Sequence, residues 1–202
     1  MARAKYVVVL GPDGSGKTTV ADKLAEVLKS EGKQVTRINF SFGIMPSISR
    51  VLGRSEGKAA PEGLRDSGMV RPLRWARAAT LACWYGIDHV LGHFWLRRGQ
   101  AGEFVIFARS YHDFLYQRAY LNLPRAIPRL FLALGPKPDL VATPLRDPHE
   151  INSQKPELTI GEIVEQYARI TNRLGCYRYF SSIDASDGIA PTVARLRRRA
   201  GV

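Results

Sequence analysis

The chain has 202 residues and a formal net charge of +12, with 45% hydrophobic and 24% charged residues. This length and ordinary composition predict a single domain, residues 1–202, with a sizeable core. The two cysteines, Cys83 and Cys176, match no metal or redox spacing, and the longest charge-free run of the helix predicted over 71–98, Ala78–Ile87, is too short to span a bilayer. These features exclude a cysteine-based metal site and a membrane span, and they indicate a protein of the reducing cytoplasm.

The excess positive charge has several possible explanations. A site for polyanionic nucleotides explains part of it, and a nucleic acid or an anionic membrane surface could explain the rest. The densest basic patch is Arg195–Arg199, near the end of the last predicted helix, where cations complement the helix dipole. Because no aromatic residues alternate with these arginines, the patch favours a solvated helix end over a nucleic-acid site.

Apolar runs alternate with helical spacings along the chain. The runs predict strands over 6–10, 34–40, 103–107, 139–143 and 178–183. The spacings predict helices over 17–30, 71–98, 111–121, 124–134, 147–153, 160–174 and 190–199, with 41–70 a loop containing short helical pieces. This alternation predicts an α/β fold with a parallel sheet covered on both faces. Ligands of such sheets bind at the carboxyl ends of the strands, so the loops after Leu10, Phe40, Phe107 and Thr143 should share one cleft.

The first strand leads into GPDGSGKT, residues 11–18, which fits a phosphate-binding loop between a strand and a helix. Its glycines allow a tight turn with main-chain N–H groups facing a phosphate, and the helix N-terminus adds partial positive charge. We expect Lys17 on the β- and γ-phosphates of ATP and Thr18 on Mg²⁺. Asp13 either orients an attacking hydroxyl group or only forms the turn. The remaining residues predicted to bind the nucleotide here are Gly11, Gly14, Ser15, Gly16 and Thr19.

Three further segments carry candidate site residues. Arg109 follows the third strand, where its planar guanidinium group could clamp phosphate oxygens or form a plain surface ion pair. The polar segment 152–158 could close over ATP as a lid that brings Lys155 to the phosphates, or could be an inert connector. Arg71, Arg74 and Arg77 recur every three residues along one side of the long helix, where they could receive an anionic acceptor or form a solvated basic face.

Together with Arg109, the segments GPDGSGKTTVADKLA, KPELTIGEIVEQYARI and IDAS resemble thymidylate kinases, and among them the thymidylate-kinase-like proteins of bacterial envelope-polysaccharide gene clusters. The resemblance covers nearly the whole chain. It implies a P-loop NTPase fold with three α/β/α layers and a five-stranded parallel sheet. It also implies transfer of the γ-phosphoryl group of ATP, with Mg²⁺, to a nucleotide or another small acceptor.

The resemblance further assigns places to several residues. Ala185 and Ser186 would lie near adenine, and the acceptor would lie between the loop containing Phe40 and the long helix. A homodimer would form through that helix, which contains Trp84 and Tyr85, although burial within one chain explains the same residues.

Three positions depart from the family pattern. Ala108 precedes Arg109 where the family has an aspartate, Gln154 stands where the lid has an arginine, and the loop containing Phe40 lacks the usual carboxylate. Alanine cannot help to organise Mg²⁺ and its waters.

The leading hypothesis is an ATP-dependent phosphotransferase of the nucleoside monophosphate kinase type, with Lys17, Arg109, Asp13 and Lys155 as catalytic residues. The alternatives are an ATP-binding regulatory protein with weakened catalysis and a kinase for a sugar or polysaccharide-related acceptor. A third hypothesis, that the chain is a nucleic-acid-binding protein, rests on its positive charge alone.

Overall fold

The computed structural model describes residues 4–46, 71–99, 102–121 and 123–201, apart from the side chains of residues 71–74, 97, 98 and 119. Strands and helices alternate along these residues. The strands are β1 (Lys5–Val9), β2 (Val35–Ile38), β3 (Phe104–Phe107), β4 (Leu140–Leu145) and β5 (Phe180–Asp184). The α-helices are α1 (Lys17–Ser30), α2 (Arg71–Arg98), α3 (Ala126–Leu134), α4 (Pro148–Gln154), α5 (Ile160–Leu174) and α6 (Ile189–Ala200). None of the helices in these ranges combines the length and the apolar character that crossing a membrane requires.

The strands form one parallel sheet in the order β2-β3-β1-β4-β5. β1 is central, with Val8 opposite Phe107 of β3 and Val9 opposite Ala142 of β4. The carboxyl ends of these strands therefore meet at one edge of the sheet, and the loops that follow them are neighbours. The five parallel strands predicted from the sequence are confirmed, with boundaries that differ by up to two residues.

Alternation of side chains along β1 builds a core on each face of the sheet. Val7 and Val9 face one side, where α1 and α6 contribute Leu24 and Leu196 to the same buried cluster. Tyr6, Val8 and Leu10 face the other side, where α2 and α5 contribute Leu96 and Ile170. Full burial of one such aliphatic side chain stabilises the fold by about 1.5–3 kcal/mol. The three α/β/α layers expected from the sequence are present.

The segment after β3 differs most from the prediction. A helix was expected over 111–121, but the chain forms two short 3₁₀ helices, Tyr111–Leu115 and Arg118–Tyr120. The N–H groups of Asp113 and Tyr116 donate to carbonyl groups three residues earlier, at 2.9 and 3.2 Å. The spacing of apolar residues does not distinguish these tighter turns from an α-helix. Of the predicted loop over 41–70, residues 47–70 lie outside the described residues.

Candidate phosphate-binding site

The turn between β1 and α1 brings two cationic groups to one carboxylate oxygen. Lys17 Nζ lies 2.7 Å from Asp13 Oδ1, and Arg109 Nη2 lies 2.5 Å from the same atom. Lys17 Nζ also donates to the main-chain oxygen of Pro12 at 3.1 Å. Lys17 belongs to α1, whereas Arg109 comes from the end of β3, so two separate elements direct positive charge into the turn. Such a concentration of charge suits a polyanionic ligand.

The main chain of the turn adds donors to these charges. Gly14 and Gly16 have φ values of +89° and +81°, in the left-handed region that favours glycine. Gly16 is also the N-cap residue of α1. Because glycine has no side chain that could cap the helix, N–H groups of its first turn remain for a ligand.

Burial and charge oppose each other in this ion cluster. Burial alone would raise the pKa of Asp13, but Lys17 and Arg109 outweigh it and hold that pKa below its usual range. Burial lowers the pKa of Lys17, and Asp13 opposes this shift. The Asp13 carboxylate therefore offsets, within the turn itself, the charge of the two cations that a phosphate group would otherwise neutralise.

The predicted lid segment lies directly against the turn. A Cβ atom on Gly14 would be 2.9 Å from Lys155 Cγ and 3.2 Å from Ile151 Cγ2. The Lys155 ammonium group lies 3.8 Å from a carboxylate oxygen of Glu157. Asn152 Nδ2 donates to the main-chain oxygen of Leu158 at 2.6 Å, which closes the segment on itself. The structure therefore places Lys155 beside the turn, and the proposal that the segment closes over ATP stays a prediction.

A cavity of about 370 Å³ adjoins the turn, a size typical of small-molecule sites. Arg146, the first residue after β4, contributes to its wall and is held by Glu150 at 3.0 Å and by Gln154 at 3.5 Å. Gln154 therefore contacts Arg146 in the wall of the cavity. The other lining residues come from the turn, α1, the β5–α6 connection and α6: Ser15, Gly16, Thr19, Val20, Ala185, Ser186, Gly188, Ile189 and Thr192. The cavity brings predicted residues from the two ends of the chain together.

The remaining predicted residues are more scattered. Thr18 is exposed on the first turn of α1. The Phe40 ring lies 4.8 Å from that of Tyr85, so it packs the loop after β2 onto α2. The side chains of Arg71 and Arg74 lie outside the described residues.

Contacts within the chain explain several other residues that the sequence singles out. Trp84 Nε1 donates to the main-chain oxygen of Pro46 at 3.0 Å. In the basic patch, Arg195 pairs with Asp187, and Arg197 pairs with Glu31 at 2.7 Å. These ion pairs support the interpretation of the patch as a helix end.

Sequence reasoning missed three residues around the turn. Arg146 had a signal that could have found it, because it follows a buried strand at the ligand-binding edge. Asp113 and Tyr116 had only a weak signal in the sequence, because both were expected on an ordinary helix. Both are buried, and Tyr116 contacts Gly11 across 105 residues of sequence.

Comparison with known proteins agrees with this fold. No protein-family model matches the chain. The chain is 22% identical to a probable thymidylate kinase 1 of Saccharolobus solfataricus over 207 aligned residues, which cover 96% of this chain and 97% of that protein. The solved structure of thymidylate kinase from Candida albicans superposes with a TM-score of 0.61 and 15% identity, covering 98% of this chain and 91% of the other. The chain therefore has the P-loop NTPase fold of thymidylate kinases, and it shows distant similarity to a probable thymidylate kinase over nearly its full length.

Proposed function

We propose that the protein is an ATP-dependent phosphotransferase of the nucleoside monophosphate kinase type, thymidylate-kinase-like, which transfers the γ-phosphoryl group of ATP to a nucleotide or another small acceptor. One observation carries the proposal: Lys17 and Arg109 meet at a single oxygen of Asp13, at 2.7 and 2.5 Å, inside a turn that ends on a helix N-terminus. A phosphate group at this place would receive both cations.

Phosphoryl transfer requires mainly positioning and neutralisation of charge on the transferred group. Lys17 and Arg109 supply positive charge from two sides. Asp13, once released from them, can orient the attacking hydroxyl group of the acceptor. Lys155 adds a third cation from the lid and helps to exclude water. Because each of these groups is fixed by a different element, correct placement of the nucleotide assembles them around one phosphate.

The cavity beside the turn suits the base and ribose of ATP. The guanidinium plane of Arg146 can stack on a purine, and the Ala185–Ser186 segment lines the same cavity. The acceptor would then lie on the other side of the turn, near Phe40 and the helix that carries Arg71 and Arg74. This arrangement would keep donor and acceptor apart until the lid closes.

Thr18 is the residue that would hold Mg²⁺. The ion usually takes one or two protein ligands and fills its shell with substrate phosphates and water, so an exposed hydroxyl beside the phosphate site fits it. Ala108 adds no ligand, and the described part of the chain holds no cluster of three or more His, Cys, Asp or Glu side chains suited to a metal. The chemistry that Mg²⁺ supplies when bound is neutralisation of charge on the phosphate oxygens.

The test is a phosphoryl-transfer screen with ATP against nucleotides and sugars. Lys17→Ala should lower turnover at least about a hundredfold, as loss of a transition-state charge contact does. Lys23→Ala is the matched control, because Lys23 lies on the same helix and pairs with Glu26 at the surface, at 2.8 Å. Absence of turnover with every acceptor, or equal activity of the two variants, would contradict the proposal.

A regulatory ATP-binding protein is the second candidate, and Ala108 together with the engagement of Gln154 by Arg146 favours it. It predicts ATP binding without turnover, and Mg²⁺-dependent activity gained by Ala108→Asp. An active wild-type protein whose rate is unchanged by that substitution would exclude it.

Three finer points belong to the same proposal. The resemblance to proteins of polysaccharide gene clusters supports a sugar or polysaccharide-related acceptor, which the screen includes. A kinase that uses ATP together with Mg²⁺ is proposed to act in the cytoplasm. A homodimer through α2 is supported by the exposure of Phe94 on that helix, and light scattering of the purified protein tests it.

A further inference from the structure

A buried tyrosine connects the segment after β3 to the first peptide of the phosphate loop. Tyr116 is fully buried, and its hydroxyl oxygen lies 3.4 Å from Gly11 N and 3.2 Å from Gly11 O. The same oxygen lies 2.7 Å from Asp113 Oδ1. One side chain thus contacts both polar main-chain groups of Gly11, the first residue of the phosphate loop.

The distances indicate how the single proton of this hydroxyl group is used. The shortest contact is with the carboxylate, so Tyr116 donates to Asp113 and its oxygen accepts from Gly11 N–H. The other carboxylate oxygen accepts from Gln117 Nε2 at 2.8 Å, which fixes Asp113 in turn. Without the carboxylate, the hydroxyl group would turn towards Gly11 O, and the Gly11 N–H group would lose its acceptor.

The groups facing Asp113 keep it ionised near neutral pH. Burial raises the pKa of Asp113 to about 6, with Asp13 adding to the rise, while Arg109, Tyr116 and Lys17 lower it. Tyr120 is the remaining titratable neighbour, and Asp113 raises its pKa in turn. At pH 7 to 8 the carboxylate is therefore the acceptor that the Tyr116 proton needs.

We propose that Tyr116, held by Asp113, is a positioning residue of the phosphate loop. Its hydroxyl group fixes the Gly11 peptide, and through it the direction of the main-chain donors that follow in the loop. Neither residue contacts the phosphates in this arrangement. The inference rests on the proposed nucleotide site where the affinity for ATP is measured. Hydrogen exchange of the Gly11 amide tests it without any ligand.

The test compares four variants of the full chain. Tyr116→Phe removes the hydroxyl group and keeps the ring. Tyr111→Phe is the matched control, because Tyr111 begins the 3₁₀ helix that Tyr116 follows, and its buried hydroxyl donates to the main-chain oxygen of Pro136, away from the loop, at 3.0 Å. Asp113→Ala removes the acceptor of Tyr116. Asp113→Asn keeps an oxygen that accepts from Tyr116, and the Gln117 amide can turn its own oxygen to the new NH₂ group.

Two quantities are measured at pH 7.5. The first is hydrogen exchange of the Gly11 amide in the ligand-free protein, followed by NMR, and the second is the dissociation constant for ATP by calorimetry. Tyr116→Phe and Asp113→Ala should each accelerate exchange and weaken ATP binding about tenfold, the scale of one lost hydrogen bond. Asp113→Asn should retain slow exchange, and Tyr111→Phe should change neither quantity by more than about twofold.

Unchanged exchange at Gly11 in Tyr116→Phe would overturn the inference. So would equal effects of Tyr111→Phe and Tyr116→Phe, because loss of any buried hydroxyl group would then explain both. Failure of the wild-type protein to bind ATP would defeat the proposed function instead, and the exchange of the Gly11 amide would still decide this inference.

Discussion

Replacement of Gly14 by alanine should push the lid segment away from the phosphate loop. Gly14 has a φ of +89°, where a Cβ atom costs about 1–2 kcal/mol. That atom would also lie 2.9 Å from Lys155 Cγ and 3.2 Å from Ile151 Cγ2. The Lys155 side chain can turn away, but Ile151 is fully buried and moves only with α4. Overpacking by one methyl group costs about 1–3 kcal/mol. We therefore expect α4 to move away from the turn, because this movement relieves the contact with Ile151.

Gly32 provides the matched control for this substitution. It has a φ of +77°, and nothing lies within 4 Å of the position that its Cβ atom would take. Gly32→Ala therefore carries the same backbone cost without the contact with the lid. Each substitution also gains about 0.4–1 kcal/mol from the smaller entropy of the unfolded chain. We expect the free energy of unfolding to fall by about 1 kcal/mol in Gly32→Ala and by about 2–3 kcal/mol in Gly14→Ala.

Urea unfolding, hydrogen exchange of residues 148–158 and the KM for ATP measure the three consequences. Gly14→Ala should exchange faster over 148–158 and raise the KM, whereas Gly32→Ala should match the wild type in both. If the two variants show the same loss of stability and the same exchange over 148–158, the lid does not rest on Gly14 in solution, and the reasoning is refuted.

Three further predictions concern buried titratable groups and the cavity. Burial raises the pKa of Asp113 from 3.8 to about 6, so the folded state binds more protons than the unfolded state between these pH values. The free energy of unfolding should therefore fall by about 3 kcal/mol as the pH rises through this window. Asp113→Asn should remove that fall in urea titrations from pH 4 to 7. Burial lowers the pKa of His89 and of His112 from 6.5 to about 3, so the folded protein loses stability as the pH falls below 6.5. His89→Leu should recover about 2–3 kcal/mol of this loss at pH 4.5. An unchanged acid unfolding transition in this variant would contradict the prediction. Arg146→Ala should raise the KM for ATP about tenfold and leave kcat nearly unchanged, because stacking on the base is the same in the ground and transition states. A fall in kcat without a change in KM would show that Arg146 acts on the transferred phosphate and not on the base.

The phosphate loop could be predicted from the sequence because its parts are local. Spacing within GPDGSGKT determines which residues meet, and the preceding apolar run identifies the strand. Arg109 could be predicted as well, since residues that follow parallel strands gather at one edge. The contact between Tyr116 and Gly11 could not, because it spans 105 residues and depends on a segment that forms 3₁₀ turns where its spacing indicated an α-helix. Rules of local periodicity contain no information on such a contact.

The placement of Asp113 changes the meaning of Ala108. A motif compares residues at fixed positions, whereas the field acting on a phosphate depends on which charges lie near it. Alanine at 108 removes one carboxylate from the motif, yet Asp113 is a second carboxylate near the same cations: burial raises its pKa to about 6, and Arg109 and Lys17 oppose this rise. Asp13 and Asp113 together balance the charges of Lys17 and Arg109, so the two cations do not face the site uncompensated. Asp113 does not replace the missing Mg²⁺ ligand, because Tyr116 and Gln117 occupy its two oxygens. Ala108 therefore bears on Mg²⁺ and not on charge balance, and Ala108→Asp is the substitution that separates the kinase from the regulatory protein.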